Sequence, residues 1–365
     1  MRIGFVLPET GHWGLIQPQS WYTQPLGGRE RNTILLAREL AQRATVHMFT
    51  SVERASEADG IVWRPILDWD AHPETYDAII VLEHARFCWP RRSKLQIVWL
   101  QCADHIWGGA DDNFVVDYTA FLTGWHEWYV RKECPWITAD RSLQIPNMHD
   151  QLTPDWTRRR TPHSMIFMSS PDRGLWQALK ILDLIRRDLP DATLRVLYGA
   201  QEFADTNRWN QFRLGEAMLT VAEDHPGALY LGKCSYHDSI EALKSSAMLL
   251  YPCDSWRSSE TFCTVTLEAC ATRTPMMISN AGCLEQQWGD AGFVLRRPID
   301  VEAWAMKATQ LLQDVGAARV YCEKQAALAD KYSVSHVGQR VYDLLCGLLG
   351  EQDQASFVAE WALSS

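Results

Sequence analysis

No stretch of about 18 consecutive apolar residues occurs in the chain, so no membrane-spanning helix is expected, and only peripheral association is left open. The amino terminus, MRIGFVLPETG, has one arginine and a short apolar run that suits a first β-strand rather than an export signal. None of the ten cysteines stands in a Cys-x-x-Cys pair. Without that spacing or an export signal, reduced and packed thiols in a cytoplasmic protein are expected. Positive charge is in short supply: 35 Lys and Arg face 45 Asp and Glu, for a net charge of −10. General nucleic-acid binding is therefore not expected, although a local basic site can still hold a small anion. Three motifs are also missing. No G-x-G-x-x-G follows the first strand, which argues against a dinucleotide-dependent dehydrogenase. No G-x-x-x-x-G-K-[ST] marks a P-loop, and no G-x-S-x-G marks a hydrolase elbow.

What is present is 365 residues of ordinary globular composition, 47% hydrophobic and 22% charged, which disfavours disorder and suggests two domains. Short apolar runs alternate with helical patterns. Strands are expected at 2–7, 46–49, 61–64, 78–82, 96–100, 120–124 and 142–145. Their cores are continuous rather than alternating, as in strands covered on both faces. QLTPDWTRRRTPH (151–163) then reads as a linker with a solvated arginine run. After it the alternation restarts, with strands at 165–168, 194–198, 229–231, 248–251, 276–279 and 293–295. Repeated strand–helix units imply right-handed crossovers and parallel sheets. The expectation is α/β: two facing Rossmann-like, doubly wound domains at 1–155 and 160–345, with a final helix near 345–365 that can pack back on the first domain or on the second, the sequence leaving that choice open. In such a pair the ligand site is expected in the cleft, beyond the carboxyl ends of the strands.

The most informative stretch is SSETFCTVTLEAC (258–270). Glu260 falls on a loop after the strand MLLYPC, and Glu268 falls inside the next helix. Between them the backbone amides of Thr261, Phe262, Cys263, Thr264 and Val265 belong to a helix amino terminus, which carries partial positive charge and suits a phosphate. Carboxylates accept hydroxyl hydrogen bonds while amides take phosphate oxygens. A nucleotide-sugar, with its ribose diol, diphosphate and hexose, fits that description. The competing reading is an ordinary helix start with a favourable Glu260 and a surface Glu268.

The wider pattern favours the first reading. Pro252, Glu260-Thr261-Phe262-Cys263, Leu267-Glu268-Ala269, Pro275, Gly282 and Glu285 together resemble the donor-site signature of retaining GT-B glycosyltransferases of the large family-four type (glycosyl transferases group 1). That resemblance implies that Glu260 contacts hexose hydroxyls and Glu268 the ribose. Two departures are visible. Cys263 and Arg273 stand where the family usually has glycine; the first is expected to crowd the sugar, the second to be a helix-end substitution. FMSSPDRGLWQAL (167–179) resembles the family's phosphate-binding strand–loop–helix, with Ser170, Arg173 and Gly174 in the matching places. An arginine there adds a bidentate contact to a diphosphate. Gly199 and the turn Lys233-Cys234 end strands where the family lines the base, with a UDP- or GDP-linked donor most expected.

In the first domain, QPLGGRERN (24–32) places Gly27 and Gly28 before the first helix, where the family's Gly-Gly turn meets the diphosphate. IVWLQCADHIWG (97–108) offers Gln101, Asp104 and His105 for the family's sugar-touching histidine position, with no choice among them. Tryptophan is plentiful, 17 residues in all. Trp13 and Trp21 lie in a polar, Pro/Gly-rich loop and are candidates for an aromatic platform that touches the acceptor. DWD (68–70) imitates a metal-binding D-x-D but follows a proline and a single strand in the wrong architectural place, so no metal and no cofactor are expected. The implied activity is metal-independent hexosyl transfer with retention to an unidentified glycan, lipid-linked or small acceptor. A sugar-nucleotide epimerase or a non-catalytic binding protein on the same scaffold are the alternatives.

Overall fold

The computed structural model describes residues 1–8, 15–88, 91–102, 116–150, 160–198, 209–254, 260–289, 291–350 and 358. The chain divides into two units: Met1–Trp21, Leu26–Asp150 and Tyr332–Ser365 form one, Tyr22–Pro25 and Gln151–Lys331 the other.

The first unit is built on β1 (Arg2–Val6), β2 (Thr45–Thr50), β3 (Ser56–Ala58), β4 (Ile61–Pro65), β5 (Tyr76–Leu82), β6 (Ser93–Trp99), β7 (Tyr118–Phe121) and β8 (Ser142–Gln144), in the order β3-β4-β2-β1-β5-β6-β7-β8. Every pairing is parallel except β3 with β4. The core strands are buried on both faces, β5 from Ala78 to Leu82 without interruption, which is why their sequences are continuous apolar runs. Helix α1 (Gly28–Ala41) carries the crossover from β1 to β2, and α2 (Gly124–Glu133) that from β7 to β8. Thr123 caps α2 by accepting from the His126 amide at 3.0 Å.

The second unit holds β9 (Ser164–Phe167), β10 (Thr193–Leu197), β11 (Ala228–Gly232), β12 (Met248–Tyr251), β13 (Met276–Ser279) and β14 (Phe293–Leu295), all parallel, in the order β11-β10-β9-β12-β13-β14. Its helices are α3 (Leu175–Asp188), α4 (Trp209–Asp224), α5 (Tyr236–Ser245), α6 (Thr264–Ala271), α7 (Leu284–Trp288), α8 (Val301–Gln313) and α9 (Val315–Asp330). The expectation that 158–160 is a solvated arginine run needs correcting at Arg160. Its guanidinium donates to the carbonyls of Lys244, Ser246, Thr272 and Arg273 and to the Thr274 hydroxyl, tying the ends of α5 and α6 together. Arg273 itself sits at φ 55 just past α6, the left-handed position where a helix end prefers glycine.

The chain then returns to the first unit at Tyr332, earlier than the position near 345 read from sequence. The reason is α10 (Val334–Leu349), whose buried Val334, Val337, Val341, Leu344, Leu345 and Leu348 recur every three to four residues and pack on α1. The His149 amide donates to the Tyr332 carbonyl at 3.0 Å, and the Val334 amide to the His149 carbonyl at 2.9 Å, fixing the point of return.

In both sheets the strand order reverses beside the first strand, between β1 and β5 and between β9 and β12. A doubly wound sheet opens its ligand crevice at the carboxyl ends of the strands at such a point.

Candidate functional site

At the reversal in the second unit, β9 runs through Met168, Ser169 and Ser170 into a tight 3-10 turn, Pro171–Arg173, and then into α3. Its neighbour β12 ends at Tyr251 and continues through Pro252 toward Glu260 and α6. Gly174 lets the two loops meet. It adopts φ 106, and a Cβ there would lie 2.1 Å from the Pro252 carbonyl oxygen. Gln177 donates to the Asp254 carboxylate, and the Ser279 hydroxyl donates to the Cys253 carbonyl at 2.6 Å. Beyond the loop, a Cβ on Gly282 would lie 2.3 Å from the Glu260 carbonyl oxygen, which accepts from the Cys283 amide at 2.9 Å.

These packings hold the Glu260 carboxylate in place. The Tyr251 hydroxyl donates to its Oε1 at 2.6 Å, and Arg173 Nη1 lies 3.1 Å from the same oxygen. Ser169 Oγ lies 3.2 Å from the Tyr251 hydroxyl. The Glu260 side chain is 1% exposed, whereas Arg173 is 36% exposed and open to an anion. Burial works most strongly against the Arg173 charge, but the Glu260 carboxylate together with Tyr251, Cys253 and Asp172 outweighs it and lifts the pKa further above its ordinary value. Burial first, and then Glu260, push the Tyr251 hydroxyl and the Cys263 and Cys283 thiols upward, so all three stay protonated. Glu268 is 2% exposed, so the reading of it as a surface residue fails. All ten cysteines are free thiols.

The structure thus brings Glu260, Arg173 and Gly174 together, with Ser170 opening the 3-10 turn, while Thr261, Phe262 and Cys263 lead buried into α6 and Thr264 begins it. Phe262 stands edge-on to Trp288, 6.2 Å between centroids. Lys233 is exposed and Cys234 half-buried beyond the outer strand β11, two strands from the reversal. Gly199, Asp104, His105 and Trp13 lie outside the described residues. Trp21 requires a correction. It is buried, its indole N–H donates to Asp59 at 3.0 Å, and the Arg38 guanidinium covers its ring at 5.3 Å, so it is packing rather than an acceptor platform.

In the first unit, Gly27 caps α1 and Gly28 begins it, while Gln101 is buried just past β6. Sequence reasoning missed two residues here. Glu83, directly after β5, is a buried non-glycine residue at φ 59, and Arg29 Nη1 pairs with its Oε2 at 2.8 Å while also binding Glu30. Arg29 following Gly-Gly was the only visible signal. Nearby on α2, the buried His126 accepts from the Leu122 amide at Nδ1 (3.3 Å). Burial drives its pKa down to about 4, against weaker opposition from the Cys102 backbone and Glu83. The folded state therefore refuses a proton that the unfolded chain takes below about pH 6.5. Stability from this group is full above that pH and is lost as pH falls from about 6.5 to about 4, by about 3 kcal/mol. Urea denaturation of wild type and His126→Gln across that window checks this: the wild type should lose stability more steeply, and equal slopes would refute it.

Among the described residues, His47, His72 and Glu74 are close enough to suggest a cation site. Glu74, however, already faces Arg2 at 3.1 Å and Arg64 at 3.8 Å, and that positive charge opposes a metal ion.

Residues 169–328 match the sequence profile described as glycosyl transferases group 1. A group 1 glycosyltransferase domain is thus matched over residues 169–328, within the second unit. Solved structures agree in fold over nearly its whole length. Sucrose-phosphate synthase from Thermosynechococcus elongatus is 14% identical over 95% of this chain and 98% of its own, with a TM-score of 0.69. Anabaena HepE, solved with UDP and glucose, is 15% identical over 95% and 99%, with a TM-score of 0.67. A glycosyltransferase from Rickettsia africae is 12% identical over 96% and 99%, with a TM-score of 0.66. No curated protein matches the chain by sequence. The two parallel-sheet units are those of the GT-B fold, and the matched segment contains Glu260, Arg173 and Glu268. No described helix is long and apolar enough to cross a membrane.

Proposed function

We propose that this group 1 glycosyltransferase domain moves a hexose from a UDP- or GDP-linked donor to an acceptor bound by the first unit, with retention of configuration and without a metal ion. The observation that carries the reading is the Glu260 carboxylate, buried at the strand-order reversal of the second sheet and paired with a partly exposed Arg173. In this arrangement Arg173 and the first amides of α6 take the diphosphate, whose growing charge they stabilise as the sugar leaves. Glu260 takes hexose hydroxyls, and Glu268, buried one helical turn into α6, takes the ribose. The UDP and glucose in the Anabaena relative support a nucleotide-sugar donor here. The resemblance to retaining enzymes supports front-face transfer, in which the departing diphosphate helps remove the acceptor proton.

A donor panel tests this. UDP-glucose, UDP-N-acetylglucosamine, GDP-mannose and ADP-glucose are each added to the full chain, and melting temperature and nucleoside diphosphate release are followed. A matching donor at about 100 times its Kd stabilises the protein by about 2.7 kcal/mol, a rise of a few degrees. Nucleoside diphosphate release that depends on added acceptor supports transfer. Isomerised donor without acceptor would instead mark an epimerase, and binding without turnover a sugar-nucleotide receptor.

A further inference from the structure

The geometry points to Tyr251 as a positioning residue for sugar recognition: it fastens one oxygen of Glu260 so that the other is presented to the hexose of the donor. The inference rests on the nucleotide-sugar reading above and adds a residue on which no sequence signal falls. Tyr251 is the last residue of β12 and is fully buried, its ring against Phe167 with centroids 6.1 Å apart. Its hydroxyl reaches Glu260 Oε1 at 2.6 Å, the short separation of a bond from O–H to an ionised carboxylate. A phenol has one proton to give, and here it goes to Glu260. The 3.2 Å contact with Ser169 is then a donation from the serine to the tyrosine oxygen. The result is a directed chain, Ser169 to Tyr251 to Glu260, running from the β9 loop to the β12 loop across the reversal of the sheet. Such chains polarise each successive bond and fix orientation.

Among the described residues both contacts to the carboxylate end on Oε1, and none donates a hydrogen bond to Oε2. The two partners of Oε1 differ in what a ligand does to them. Arg173 is partly exposed, and a diphosphate competes with Glu260 for its guanidinium. Tyr251 is sealed in the core and cannot be drawn away. In the donor complex Tyr251 is therefore the lasting tether, and the orientation of Oε2 toward hexose hydroxyls depends on it. The nucleotide half of the donor does not.

The test is Tyr251→Phe, which removes one oxygen and keeps the ring. Calorimetry on the full chain measures Kd for UDP and UDP-glucose, or for GDP and GDP-mannose or ADP and ADP-glucose if the donor panel selects those. The variant should bind the nucleoside diphosphate within about twofold of wild type, while the ratio of sugar-nucleotide to diphosphate affinity falls about tenfold, the loss of one charge-assisted hydrogen bond's worth of order. Ser169→Ala should move the same ratio about threefold in the same direction. Retained diphosphate binding also reports that the variants fold. An unchanged ratio in Tyr251→Phe overturns the inference, as does an equal loss for both ligands, which would mark a purely structural tyrosine. A wild type that binds none of these nucleotides removes the underlying reading of the site, and this inference with it.

Discussion

Glu260→Gln lowers sugar transfer by about a hundredfold or more while leaving nucleoside diphosphate affinity within a few-fold of wild type. Glutamine preserves the shape of the side chain, and its carbonyl oxygen can still accept from Tyr251, so the loop keeps its anchor. What disappears is the charge. A neutral amide is a weaker acceptor for hexose hydroxyls, and the geometry that favours departure of the sugar is lost where it matters most, in the transition state. Arg173 loses its partner but is 36% exposed, so water takes over part of that role and the cost to folding is modest, about 1 kcal/mol. The same loss releases Arg173 toward a diphosphate, which is why nucleotide affinity should hold or rise slightly. Steady-state kinetics with the donor selected by the panel, beside calorimetry on the nucleoside diphosphate, separates the two effects: kcat falls and the donor KM rises about tenfold, while diphosphate affinity holds. A Glu260→Gln enzyme within threefold of wild-type turnover would remove Glu260 from the chemistry.

The expected pattern of elements was readable wherever a strand was a continuous apolar run bounded by turn residues. Met248–Tyr251, Met276–Ser279 and Phe293–Leu295 fall where that rule puts them. β3 was not readable, because Ser56-Glu57-Ala58 has no apolar pattern and owes its extension to antiparallel pairing with β4 across the Asp59-Gly60 turn. Trp21 misled for a related reason. Its neighbours are loop residues, but its ring is held by Asp59 and Arg38, which are remote in sequence. The two glutamates of the site were visible as a spaced pair after a strand. Their burial, and the junction of Glu260 with Tyr251 and Arg173, were not, because Arg173 belongs to the turn after β9 while Tyr251 and Glu260 belong to β12 and the loop after it, and only the adjacency of β9 and β12 in the sheet brings them together. Glu83 carried no signal at all: its left-handed backbone is imposed by tertiary contacts, and composition and periodicity report only local preference.

Gly174→Ala destabilises the second unit by about 2–4 kcal/mol and removes donor binding from whatever fraction stays folded. Two independent costs add. The residue sits at φ 106, a conformation that a side chain bearing a Cβ resists. Its new methyl would also lie 2.1 Å from the Pro252 carbonyl oxygen and 2.7 Å from the carbonyl carbon. Both are backbone atoms, so no rotamer change relieves the overlap, and either the turn before α3 or the loop after β12 must move. Pro252 directly follows Tyr251, and Arg173 directly precedes Gly174, so any such shift separates the groups that meet at Glu260 Oε1. Because the chain has two units, unfolding is best followed as resolved transitions by calorimetry with and without the selected donor. The transition of the second unit, recognised as the one that donor raises in the wild type, should drop and lose its donor-dependent rise, while that of the first unit stays in place. A variant that melts within a degree of wild type and binds donor equally well would show that the β9 and β12 loops do not need to touch at this glycine for the site to form.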